Sequence, residues 1–245
     1  MILSNAKKYF LNFCGVVLIS LLTVFIFAIS QYVELVEELF SNQIISLIVV
    51  FISYFIVIII LSKIYNDGIL QNNYKKISLR SFFKYDKKYV LLTLSLLIIS
   101  RLFLLPINKV IYIIFPKISS PDMQVSSIFL IGAFTYGPIV EELIFRGIFF
   151  NITSDWLDMN NRIVKNIVII INIIMFTSVH YVSYNLPDFN VILSLLMAIL
   201  PRLAVSISLT YVYIKTKDIK YNIILHIVYN FLIISINYIL TSGII

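Results

Sequence analysis

The sequence predicts an all-α, polytopic membrane helix bundle of about seven transmembrane helices, with the N-terminus inside and the C-terminus outside. Three observations predict it. Of the 245 residues, 60% are hydrophobic and only 13% are charged, with mean hydropathy +0.99, far outside the composition of soluble domains. Seven apolar stretches reach the roughly 20 residues that a helix needs to cross a hydrocarbon core. Lysine and arginine gather in alternate connections, as positive-inside topology requires.

The stretches run over about residues 9–30, 44–62, 89–115, 123–150, 163–187, 189–214 and 221–242. Each is continuously apolar, and backbone groups in lipid must pair within their own segment, so helices are the consistent reading. The first follows Lys7 and Lys8 and holds Cys14, the single cysteine, which has no partner for an intramolecular disulfide or a thiolate metal site. Its uncharged core is longer than the apolar region of a signal peptide, so it reads as an uncleaved span. Pro106, Pro138 and Pro201 fall within the third, fourth and sixth stretches. A proline there kinks its helix and frees a carbonyl that only protein or water can satisfy.

The connections set the orientation. Lys63, Lys75, Lys76, Arg80, Lys84, Lys87 and Lys88 separate the second stretch from the third; Arg162 and Lys165 precede the fifth; Lys215, Lys217 and Lys220 precede the seventh. The intervening connections hold Glu34, Glu37 and Glu38, then Lys117 with Asp122, then Asp188. The net charge of +7 therefore belongs to short loops. No separate soluble domain carries a basic face, which argues against nucleic acid as a partner. Asn151-Ile152-Thr153 matches a glycosylation sequon, but it is expected to face inside and reads as a polar turn ending a helix. No repeat of fixed period is visible.

Ionisable groups inside apolar stretches mark a site, because burying them in hydrocarbon is costly. The chain has two histidines, His180 and His226, both in such stretches, and a third stretch carries Glu141-Glu142. Glu142 and Arg146 stand four apart and can pair on a helix. Glu141 then points about 100 degrees away and is the carboxylate left to act as a general base toward water. Phe176 precedes His180 by one turn and can orient its ring. His226 and Asn230 share a face, where imidazole and carboxamide can stabilise an oxyanion. Alternatively His180, His226 and Glu141 could bind a divalent metal such as zinc and leave a water position open, although no His-Glu-x-x-His helix occurs. Arg202, next to Pro201, is a candidate anchor for an anionic substrate group, and equally a snorkelling or ion-paired residue.

These residues resemble the CAAX prenyl protease and bacteriocin-processing (CPBP, or Abi) group of intramembrane proteases. Its Glu-Glu-x-x-x-Arg, Phe-x-x-x-His and His-x-x-x-Asn motifs occur here in order as Glu141 to Arg146, Phe176 to His180 and His226 to Asn230. The resemblance covers roughly residues 123–235, so the chain divides into an N-terminal three-span region, 1–122, and a four-span core, 123–245. It implies Glu141 as the water-activating base beside Glu142, His180 as its partner on the water, and His226 with Asn230 as oxyanion stabilisers, with or without metal. Tyr213 and Thr216 fit a further family spacing to His226, while Ser206 and Thr210 stand where the family usually has glycine.

The resulting expectation is a multi-pass protein of a bacterial cell membrane, an endopeptidase acting on a membrane-embedded or lipidated peptide or protein within the lipid bilayer. Two alternatives differ in class. A proton-coupled transporter would use the same buried acid and histidines as a relay, and a noncatalytic bacteriocin-immunity protein would not need them. One difficulty attends a shared site. In straight helices His226 lies near the inner end of its span and His180 toward the outer end of its own.

Overall fold

The computed structural model describes residues 14, 21, 43–68, 75–77, 86–114, 132–181 and 191–241. Every regular element among them is helical. Of the first expected span only Cys14 and Leu21 are described, both helical; the rest of that span lies outside the described residues, as do the acidic connection 31–42 and the segments 115–131 and 182–190. Helix α1 is Gln43–Gly68 and α2 is Lys87–Ile114. Helix α3 runs continuously over 132–156, and α4, α5 and α6 are Arg162–Tyr181, Val191–Thr216 and Ile219–Thr241.

Two of these helices contain a segment long and apolar enough to cross a membrane, Ile48–Asp67 and Arg162–His180. Their outward faces are apolar: Ile48, Phe51, Ile52, Phe55, Ile59 and Ile60 on α1, and Ile163, Ile167, Ile170 and Ile174 on α4, are all exposed. Such faces suit lipid as the surrounding solvent.

Helix α3 is the centre of the bundle, with α1, α4 and α6 packed on it. It is not uniformly α-helical. The pieces Gly132–Tyr136 and Glu142–Ile148 are π-helical, and α-helical Gly137–Glu141 and Phe149–Trp156 continue them. The wider turns show in the Phe149 N–H, which donates to the Ile144 carbonyl five residues back, a geometry frequent at functional sites. Every residue from Glu142 to Phe150 is buried, charged ones included. Gly147 permits the close approach of α1, since a Cβ there would lie 2.6 Å from Cδ2 of the buried Tyr65. Tyr54 stacks on Tyr136 at 3.8 Å between ring centroids, one further contact of α1 with α3.

Helix α5 packs on α2, α4 and α6, and Leu97, Val205, Leu209, Val212, Tyr221 and Leu225 form a core shared by α2, α5 and α6. The α5–α6 turn is tight. Lys217 adopts a left-handed φ of 51°, and the Asp218 carboxylate caps α6 by accepting from the Lys220 N–H at 3.3 Å. Asn161 caps α4 in the same way, accepting from the Ile163 N–H at 2.9 Å.

Two local expectations are corrected. The sequon does not end a helix: Asn151 is buried inside α3 and its Nδ2 donates to the Tyr65 carbonyl at 3.2 Å. The second span also exceeds its apolar run and reaches Gly68, because Tyr65 and Asn66 still dock. The Tyr65 hydroxyl donates to the Lys75 carbonyl, and Asn66 exchanges two hydrogen bonds with the Ile77 backbone.

Candidate active site

Glu142 is the hub of a closed polar cluster. Its Oε1 accepts from Arg146 Nη1 at 3.1 Å and from His226 Nδ1 at 2.9 Å, and its Oε2 accepts from Asn222 Nδ2 at 3.0 Å. Glu142, Arg146 and Asn222 are each 0% exposed. At that depth only an ion pair with further hydrogen bonds is tolerable, and here every donor to the carboxylate comes from protein. Arg146 also gives Nη2 to Ser206 Oγ at 3.2 Å and lays its guanidinium over the Phe176 ring at 3.8 Å.

Glu141 faces a different space. Its side chain keeps 14% exposure where Glu142 keeps none, and His180 keeps 17%. Glu141 Oε2 lies 3.2 Å from His180 Nε2 and 3.8 Å from His226 Nε2. No donor satisfies that oxygen among the described residues.

The hydrogen bonds on the other side of each ring determine what these nitrogens can do. His180 Nδ1 sits 2.7 Å from the Phe176 carbonyl, which can only accept, so Nδ1 carries the proton. His226 Nδ1 meets the Glu142 carboxylate and carries its proton for the same reason. Both Nε2 atoms are therefore turned toward Glu141 Oε2, each with a lone pair in the neutral ring. Two lone pairs and a carboxylate oxygen within 4 Å need a proton, or a proton-donating molecule such as water, among them.

Phe176 ties the two layers together. Its ring lies 4.5 Å from the His180 ring and 6.0 Å from the His226 ring by centroid, with Phe145 edge-on at 5.5 Å. Asn172, one turn before Phe176, donates to the Phe145 carbonyl and accepts from Thr210 Oγ1 at 3.3 Å. This joins α3, α4 and α5 beneath the site.

The structure thus brings together Glu141, Glu142, Arg146, Phe176, His180 and His226. Asn230 lies one turn beyond His226, with its Nδ2 donating to the Ala133 carbonyl at 2.9 Å. Arg202 is half-buried on α5, one turn before Ser206. Sequence reasoning did not single out Asn222 or Asn172, although a carboxamide in an apolar run was a usable signal. Ser206 and Thr210 were read only as small residues, and both prove to be buried hydrogen-bonding groups. Among the described residues no three His, Cys, Asp or Glu side chains form a group arranged to hold a metal ion.

Residues 123–232 match the family model described as Type II CAAX prenyl endopeptidase Rce1-like. No curated protein and no solved structure matches the chain.

Proposed function

We propose, for a chain whose residues 123–232 belong to the CPBP/CAAX protease family, that it is an intramembrane endopeptidase whose water is activated by Glu141 and His180. The observation that carries this reading is the buried Glu141 Oε2, without a donor among the described residues, facing His180 Nε2 at 3.2 Å on two side chains that keep 14% and 17% exposure. Water entering beside this pair gives a proton to Glu141, and its oxygen attacks the scissile carbonyl carbon. The new oxyanion is assigned to His226 Nε2 and to the second N–H of Asn230. His226 donates there once Nε2 carries a proton, and Glu141, 3.8 Å away, is the group that can supply it. Collapse of the intermediate breaks the C–N bond, and the amine leaves with a proton returned through Glu141 or His180.

The substrate in this reading is a membrane-embedded or lipidated peptide or protein, because the site opens among helices with apolar outer faces. Arg202 is assigned to an anionic group on it. The chain spans a bacterial cell membrane with seven helices, N-terminus inside and C-terminus outside, and the three-span region 1–122 buttresses the four-span core 123–245. The packing of α1 on α3 supports that last assignment.

Detergent-purified protein incubated with a membrane-peptide library tests the chemistry. Glu141→Gln and His180→Ala should each lower the cleavage rate by about 10²–10⁴-fold, and a chelator should leave the wild-type rate unchanged. Undiminished cleavage by Glu141→Gln would remove the glutamate from the mechanism. Loss of wild-type cleavage in chelator alone would replace the protein-only scheme with a metal one.

A further inference from the structure

We infer that Asn222 is a positioning residue of this site, acting through Glu142 to hold His226 in the tautomer that turns Nε2 toward Glu141. The inference rests on the reading of Glu141, His180 and His226 as the reacting cluster. Asn222 lies four residues before His226 on α6, so the two side chains share a face, and both reach the same carboxylate from it.

Its orientation is fixed by what surrounds it. Nδ2 donates to Glu142 Oε2 at 3.0 Å and to the Leu209 carbonyl at 2.8 Å. Both partners only accept, so a flipped carboxamide would aim its oxygen at two acceptors. Among the described residues Oδ1 meets no donor, although the residue is 0% exposed. An apolar side chain would avoid that orphaned oxygen, so the favourable contribution of this residue comes from its nitrogen.

That nitrogen sets the rotation of the Glu142 carboxylate. Oε1 serves both Arg146 and His226, while Asn222 is the donor on Oε2. A guanidinium prefers to fork onto both oxygens of a carboxylate. With Oε2 held by Asn222, Arg146 keeps one oxygen and sends Nη2 to Ser206. Without that hold, the carboxylate turns into the fork and Oε1 leaves His226 Nδ1. The imidazole then loses the acceptor that fixes its Nδ1–H form, and its proton can move to Nε2, which must be open in the resting site so that it can take the proton from Glu141 and become the charged donor to the oxyanion.

The chain has only two histidines, so protein labelled with ¹⁵N-histidine gives two imidazole spectra in detergent, assigned with His180→Gln. Wild type should show His226 protonated at Nδ1. Asn222→Leu, of similar volume and without a donor, should move most of His226 to the Nε2–H form and leave His180 unchanged. Cleavage should lose at least about 10-fold in kcat with KM altered less than about 2-fold, the scale of other supporting-residue effects. Retention of Nδ1–H on His226, or an equal change at both histidines, would overturn the assignment in favour of a merely structural residue. If Asn222→Leu does not fold, Asn222→Ala carries the same expectation. A tautomer shift in protein whose wild type cleaves nothing would uphold the positioning role and remove the endopeptidase reading.

Discussion

Arg146 ties the site together, because its guanidinium does three things at once with no exposure. It pairs with Glu142, reaches Ser206 on α5 and lies flat on Phe176, whose ring also touches both histidines. A lysine can supply the charge but not the fork or the plane. Arg146→Lys should therefore lose about 2 kcal/mol, mostly the desolvated cation–π contact, and lower Tm by about 4–8 °C for a chain of this size. Thermal unfolding in detergent reads this directly, and an unchanged Tm would mean that charge alone is required. The pairing of Glu142 with Arg146, the separate direction of Glu141 and the Phe176 contact with His180 were legible because each follows from residues one or four apart on a helix. Asn222, Asn172, Ser206 and Thr210 were not. Their partners lie 13 to 80 residues away, and a small polar residue in an apolar run has no periodicity to reveal its partner.

At the scale of the element, α3 owes its form to Pro138 as much as to the acidic pair that follows. Pro138 stands at the junction of a π-helical and an α-helical piece and has no N–H to return to the carbonyls four or five residues back. The carbonyl five back is Ala133, and Asn230 of α6 donates to it. Asn230 is thus a clasp between the helix that carries Glu141 and the helix that carries His226, whatever its second N–H does. Asn230→Ala should lose about 1 kcal/mol of stability by leaving that acceptor without its donor. In a Pro138→Ala background, where a helix N–H is restored, the loss should shrink by at least about 0.5 kcal/mol. A double-mutant cycle by denaturant titration measures the coupling, and strict additivity would break the clasp argument. The apolar runs located each described helix correctly but not its ends. Hydropathy reports depth in lipid, whereas α1 and α3 continue into polar sequence because Tyr65, Asn66 and Asn151 go on finding partners.

On the scale of the whole molecule, the difficulty of a shared site resolves through unequal hairpins. At 1.5 Å per residue, His180 lies about 27 Å along α4 from Arg162, and Glu141 about 22 Å along α3 from Trp156. His226 lies only about 10 Å along α6 from Ile219. These side chains meet within 4 Å, so for helices running side by side the α3–α4 hairpin extends roughly 12–17 Å beyond the α5–α6 turn. Its tip is suited to water: Asp155, Asp158, Asn160, Arg162, Lys165 and Asn166 are all exposed. The sequence placed both basic connections on one side but could not stagger them, since charge counts carry a side and no depth. The staggered arrangement sets the site about 10 Å above the α5–α6 turn, near enough for water to arrive from that face. In the orientation proposed above from the positive-inside asymmetry, that face is the inner one. In a Cys14→Ser background, a cysteine at the exposed position of Lys215 should therefore react with a membrane-impermeant maleimide in inside-out vesicles and stay unlabelled in intact cells. Labelling in intact cells would reverse the orientation, and water would then reach Glu141 from outside.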